Sequence, residues 1–292
     1  MVFLWGRPYP DAPVSGFWGT PTSTIDWCEE NYVVTHYIAE LVNTTTNSAF
    51  IALATYAFFN ALYNRHGQRF LLVCAGFITV GIGSWMFHMS LLYEYQLLDE
   101  LPMIYATCVP YWVVFSHGKS RADSTKVGLQ ISAAALTLTA VYLQFRDPTI
   151  HQVAYAVLNA VVLFKSMSLK NAYVKDEKAL ADFRKLLIRG LTYIALGYLC
   201  WNTDINFCSM YRGARRAVGM PYGFLLEGHG WWHFGTGLGV YHYIVYLEYL
   251  RAFLCHREHE YELKWSWKII PHLDLKPEYR VPQVDAATKK QH

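Results

Sequence analysis

Charge is scarce in this sequence. Asp, Glu, Lys and Arg make up 16% of the 292 residues, against about 25% in ordinary soluble domains. Hydrophobic residues supply 53% and aromatics 16%, with a mean hydropathy of +0.13. A net charge of +3 gives no support to a nucleic-acid role. Internal repeats, low-complexity tracts and a Gly-rich phosphate loop are also missing, which removes solenoids and P-loop chemistry. Residues 1–24 are rich in Pro, Gly and Trp and lack an apolar core behind basic residues, so no cleavable signal peptide is read there. The first apolar segment is then expected to act as its own insertion signal. A chain so short of charge is expected in a membrane.

A bilayer core takes about 20 mostly apolar residues per helix. Seven such stretches are expected, at 34–62, 70–92, 97–117, 125–144, 149–167, 187–204 and 224–250. The fold class is therefore an all-α membrane protein of seven transmembrane helices. Its divisions are a segment 1–33, a helical domain 34–250 and a polar tail 251–292. Basic residues collect on the cytosolic side of membranes. Arg7, Arg146, Arg212, Arg215 and Arg216 fall on one side, and the other twenty of the 25 on the opposite one. The N-terminus is thus expected in the lumen and the C-terminus in the cytosol.

That topology sorts the unusual residues. Ser84 and His88 lie four apart near the lumenal end of the second span, on one helical face. Asp99 opens the third span from the same side, and LLEGHGWWHFGTG (225–237) sets His229 and His233 four apart at the lumenal start of the seventh. Two histidines at i and i+4 suit zinc, and three protein ligands with an open position suit catalytic zinc. Spacing alone leaves this open beside a plainer reading, in which the histidines and Trp231–Trp232 are interfacial residues. Ahead of the first span, Asp26, Glu29, Asn31 and Glu40 are hard oxygen donors of the kind calcium takes. Their spacing is not that of an EF-hand, and on spacing alone a polar helix cap explains them more simply. Cys28 and Cys208 fall on the lumenal side, where an oxidising compartment would allow them to pair. The other four cysteines read as small apolar residues. Asn43-Thr44-Thr45 fits a glycosylation site but lies within the first span. Glu94 and Glu100 have no assigned role.

STIDWCEENYVV (23–34), GSWMFHMSLLYEYQLLDELPMIY (83–105) and LLEGHGWWHFGTG together resemble the alkaline ceramidases, nearest to the fungal and plant-type phytoceramidases. The resemblance runs from about Trp18 to Arg251. It implies a zinc site of His88, His229 and His233 in the lumenal half of the bundle, with Ser84 and Asp99 beside the metal. It implies a calcium site of Asp26, the Trp27 carbonyl, Glu29, Asn31 and Glu40, and a lumenal disulfide between Cys28 and Cys208.

The implied activity is hydrolysis of ceramide or phytoceramide to a sphingoid base and a free fatty acid, reversible at high fatty acid concentration and tuned by calcium. Zinc lowers the pKa of bound water from about 15.7 to about 7, giving a hydroxide that attacks the amide carbonyl. Asp99 is expected to be the general base and acid, and Ser84 to donate to the developing oxyanion. The partner implied is the membrane lipid substrate, with neither nucleic acid nor an obligate protein partner, in the endoplasmic reticulum or Golgi. The alternative is a seven-span zinc receptor resembling the adiponectin receptors. The opposite orientation is expected of that group.

Overall fold

A computed structural model describes residues 6–13 and 15–280. Among the described residues, seven helices of 23 to 30 residues run in succession. They are α1 Leu41–Tyr63, α2 Gln68–Ser90, α3 Tyr93–Phe115, α4 Arg121–Phe145, α5 Pro148–Tyr173, α6 Glu177–Asn206 and, after a short α7 (Cys208–Val218), α8 Gly228–Leu254. Three of them, α2, α4 and α5, are long and apolar enough to cross a membrane. The other four carry polar residues inside them: Asn43, Thr44 and Asn47 in α1, Asp99 and Glu100 in α3, a charged first half in α6, and three histidines in α8. Those residues lower the mean hydropathy of helices that are otherwise long enough.

Local chemistry sets the starts. Ser120, Asp147 and Asp176 stand just before α4, α5 and α6, and their side chains accept from Asp123, Thr149 and Ala179 N–H groups, satisfying donors that a helix leaves open. Packing then selects the order. Helix α8 lies against α1 and α6, with α2 and α5 also in contact, and buries Tyr241, Val245, Tyr246 and Leu250 in the core. Glycines make the α6–α8 seam tight: a Cβ on Gly235 would stand 2.6 Å from the Tyr193 carbonyl and 2.8 Å from Gly197 Cα. The outer side of the bundle is apolar, with Leu129 and Leu136 of α4, Val153, Val157 and Phe164 of α5, and Leu196 and Leu199 of α6 all exposed. Water does not tolerate so broad an apolar face on a monomer; lipid does.

The elements differ from the expected spans at their edges. Residues 34–40 are turns rather than the first turns of a span. Their backbone is used elsewhere, Ala39 N–H donating to Met89 O and Glu40 N–H to His88 O. The fifth helix runs on to Tyr173, so Lys165 and Lys170 lie on it and not in a loop. The sixth begins at Glu177, ten residues ahead of the expected 187, and the eighth at Gly228 after a short 3-10 turn, Tyr222–Leu226.

The stretch after α8, read as a plain polar tail, folds back as an antiparallel hairpin, β1 Tyr261–Ser266 and β2 Ile270–Leu275. It docks on the bundle through His66 Nε2 and Leu273 O (2.9 Å) and through Tyr241, whose hydroxyl donates to Pro271 O (2.5 Å). Lys289 and Lys290, counted in the basic asymmetry, lie outside the described residues.

Candidate metal centre and hydrolytic site

Five helix ends meet at one end of the bundle: the starts of α1, α3 and α8 and the finishes of α2 and α6. Glycine sets the first contact. A Cβ on Gly83 of α2 would stand 2.1 Å from the Leu98 carbonyl oxygen and 2.9 Å from the Asp99 nitrogen, so α2 and α3 touch backbone to backbone. That approach brings the buried Ser84 beside Asp99. One turn further, α2 ends at Leu91, which holds a left-handed φ of 55°. Its carbonyl accepts from the N–H groups of Thr22 and Ser23, fastening the N-terminal segment over the site.

His88, His229 and His233 are buried, and each offers one nitrogen so that the three atoms lie within 4.8 Å of one another. The ring centroids are 4.9, 5.0 and 4.7 Å apart. Two rings are held from behind. Glu40 Oε2 lies 2.5 Å from His88 Nδ1, and Thr46 Oγ1 lies 2.8 Å from His233 Nδ1, which leaves Nε2 of each for a metal. The third, His229, stacks on Trp27 at 4.5 Å, and the Asp204 carboxylate faces its backbone N–H. Its own Nδ1 has no hydrogen-bond partner among the described residues. Three buried imidazoles, two oriented by oxygen partners and one with an orphaned nitrogen, fit a zinc ion with an open fourth position.

Of the five residues expected to hold calcium, Asp26 and Glu29 each lie near enough to Glu40 for their charges to interact, while the Trp27 carbonyl accepts from Arg212 at 3.4 Å. Glu29 is buried, and its two carboxylate oxygens accept from Val42 and Asn43 N–H groups at 2.7 and 2.8 Å, at the positive start of α1. Burial, and then the charge of Glu40, push its carboxyl up to about 8. Asn31 donates to Asp26 at 3.4 Å. Its Oδ1, like Oε1 of Glu40, is buried with no hydrogen-bond partner among the described residues. Two orphaned acceptors among three neighbouring acids fit a hard cation.

Cys28 and Cys208 are joined by a disulfide with Cα atoms 5.5 Å apart. Beside it Arg215, fully buried, donates to Asp204 Oδ1 at 2.6 Å and to Cys28 O at 2.9 Å, and lies 3.0 Å from Glu227. The remaining cysteines are free. Asn43 of the glycosylation pattern is buried, its amide donating to Glu40.

Several of these residues escaped the sequence reading. Thr46, Gly83, Asp204, Arg215 and Glu227 were given no place in the site, and Glu40 was given only to calcium although it also touches His88. Glu100 is buried between α3 and α4, accepting from the Tyr142 hydroxyl and the Gln96 amide. Gln96 in turn holds Thr24 of the N-terminal segment. Glu94 lies exposed in the first turn of α3. The available signal was density: six consecutive polar residues, Asn43 to Ser48, at the start of an otherwise apolar α1.

The Ceramidase family profile matches residues 19–274. The chain is 43% identical to alkaline ceramidase YPC1 of Saccharomyces cerevisiae, over 93% of its own length and 90% of that protein. It is 36% identical to alkaline ceramidase 3 of Mus musculus, over 83% and 89% of the two chains, and 28% identical to an alkaline ceramidase of Arabidopsis thaliana, over 82% and 88%. The matched region passes Arg251, where the resemblance read from motifs stopped, and takes in the hairpin.

Proposed function

Because the chain belongs to the alkaline ceramidase family, whose curated members are hydrolases of the ceramide amide bond, we propose that it cleaves ceramide or phytoceramide to a sphingoid base and a free fatty acid within the membrane. The observation that carries this reading is the closure of three buried imidazoles beside Ser84 and Asp99. All seven long helices span the bilayer in this reading, with the histidines in the lumenal half, the N-terminus in the lumen and the C-terminus in the cytosol of an endoplasmic reticulum or Golgi membrane. The apolar outer faces of α4 to α6 and the five-to-twenty split of basic residues support it.

A zinc ion on His88, His229 and His233 supplies a polarised amide carbonyl and water acidic enough to react near neutral pH. The chain does the rest. Asp99 takes the proton of the attacking water and returns it to the departing amine nitrogen, so one carboxylate serves both halves of the hydrolysis. Ser84, beside Asp99, carries a single hydroxyl proton. Once Asp99 is protonated that hydroxyl is free to turn towards the carbonyl oxygen as negative charge builds there. Glu40 and Thr46 fix the tautomers of His88 and His233. The reverse condensation uses the same groups.

Calcium, on Asp26, the Trp27 carbonyl, Glu29, Asn31 and Glu40, holds the N-terminal segment over the site. Glu40 reaches both this cluster and His88, so losing calcium loosens a histidine of the zinc site. The test is hydrolysis of ceramide and phytoceramide by the purified full-length chain and by Asp99→Asn. Release of long-chain base by the parent, with a loss of at least a hundredfold in kcat and retained zinc in the variant, supports the assignment. Parent-like turnover by Asp99→Asn removes Asp99 from the chemistry.

A further inference from the structure

At the end of the bundle remote from the histidines, a cavity of about 190 Å³ opens between the start of α2 and the finishes of α3 and α8. Arg69, Ser116, His117 and Arg251 line it, over an apolar floor that includes Val113 and Leu250. None of its lining residues is acidic. Arg69 spends part of its guanidinium on Ser124 Oγ (3.1 Å) and lies 3.9 Å over the Trp112 ring. Arg251 has neither a side-chain hydrogen bond nor an ion pair among the described residues, although the two guanidinium groups are near enough to repel one another. The acid of the adjoining cavity, Glu248, is taken by His66 Nδ1 at 2.8 Å. Lys165 adds further positive charge near His117.

A second observation points the same way. Ser116 is 8% exposed, and its hydroxyl has no hydrogen-bond partner among the described residues. Leaving a buried hydroxyl unsatisfied is costly, and holding two like charges against one cavity is costly as well. The finishes of α3 and α8 carry negative helix-dipole ends, which attract a cation. That attraction accounts for one arginine but neither for a repelling pair nor for the orphaned hydroxyl. A tetrahedral anion answers all three, because guanidinium forks match phosphate oxygens two at a time and the serine can donate to a third.

We propose that this cavity binds a phosphate group, gripped by Arg251 and Arg69 with Ser116 as hydroxyl donor. Under the topology proposed above, on which this clause rests, the cavity faces the cytosolic leaflet, where anionic headgroups lie. The phosphate is then that of a lipid.

The test uses the full-length protein in neutral detergent, with dioctanoyl phosphatidic acid, dioctanoyl phosphatidylcholine and inorganic phosphate as probes and the thermal midpoint as readout. Phosphatidic acid raises the midpoint of the parent in a saturable way. Arg251→Gln needs at least tenfold more probe for the same shift, the loss expected when hydrogen bonds to a charged group are removed, and Ser116→Ala needs several-fold more. Inorganic phosphate acting as well as the lipid makes the ligand free phosphate; the lipid acting alone makes it a headgroup. Either result supports the site.

The proposal is overturned if neither probe shifts the parent, if phosphatidylcholine shifts it equally, or if both variants titrate like the parent. Should Arg251→Gln fail to fold, the Ser116→Ala titration decides. Ceramide hydrolysis measured without phosphate is unchanged in Ser116→Ala, so failure of the hydrolase reading and failure of this site are separate results.

Discussion

Adding one methyl group at Gly83 should disable the site without touching any candidate ligand. The Cβ of Gly83→Ala would sit 2.1 Å from Leu98 O and 2.6 Å from Leu98 C, where 3.4 Å or more is ordinary contact. Both atoms belong to backbone inside α3, so neither can rotate away as a side chain would. Helices α2 and α3 must part by something on the order of 1 Å, a misplacement that can cost about a hundredfold in rate. Ser84 is the next residue on α2 and Asp99 the next on α3, so the spacing of these two side chains is the first to change. Overpacking of this kind also costs about 1–3 kcal/mol of stability. The assay is kcat for ceramide hydrolysis beside zinc content and a thermal melt. Gly213→Ala in α7, where an added Cβ meets nothing within 4 Å, is the control and should be neutral or gain up to about 1 kcal/mol from better helix propensity. Gly83→Ala with parent-like kcat would refute the claim that this backbone contact sets the Ser84–Asp99 geometry.

Three further outcomes follow from the same structure. Glu40→Gln keeps the shape but weakens the grip on His88, so zinc affinity, read by chelator competition, should fall about 10–100-fold, and calcium should no longer change activity. Arg215→Met leaves Asp204 and Glu227 buried without their cation and should cost about 3–5 kcal/mol in a thermal or denaturant melt; a melt like the parent's would show that the pair finds another partner. Cys28→Ser frees a loop spanning 180 residues and should lower stability by about 2–5 kcal/mol, with reductant lowering the parent to the same value.

How much of this the sequence disclosed depends on the kind of signal. Long, mostly apolar stretches marked the seven long helices, three of which are apolar enough to cross a membrane, and i, i+4 spacing put His229 and His233 on one face. That His88 lies at the depth of the other two came from the topology, while the full zinc and calcium ligand sets came only from motif resemblance. The pairing of Glu40 with His88 joins residues 48 apart across two helix ends, and nothing local announces it. Helix α7 was missed because its polarity made it read as a loop, while the buried Arg215 it carries is paid for by Asp204 and Glu227 from elsewhere in the chain. The hairpin was missed for a similar reason: its strands alternate, with Leu273 and Leu275 buried and Lys264 and Glu262 exposed, and the partner that buries them is the end of α8. Glu100 reads as a costly acid in a span until Tyr142 and Gln96 are seen to satisfy it.

The central claim is that the three histidines hold a zinc ion on which amide hydrolysis depends. Zinc content and ceramide hydrolysis, measured together on detergent-purified parent and His229→Ala, test it most directly. The account predicts one zinc per chain and release of long-chain base by the parent, both lost in a variant that still folds. A zinc-loaded parent that releases no long-chain base from any ceramide, or a zinc-free variant that hydrolyses as fast as the parent, would contradict it.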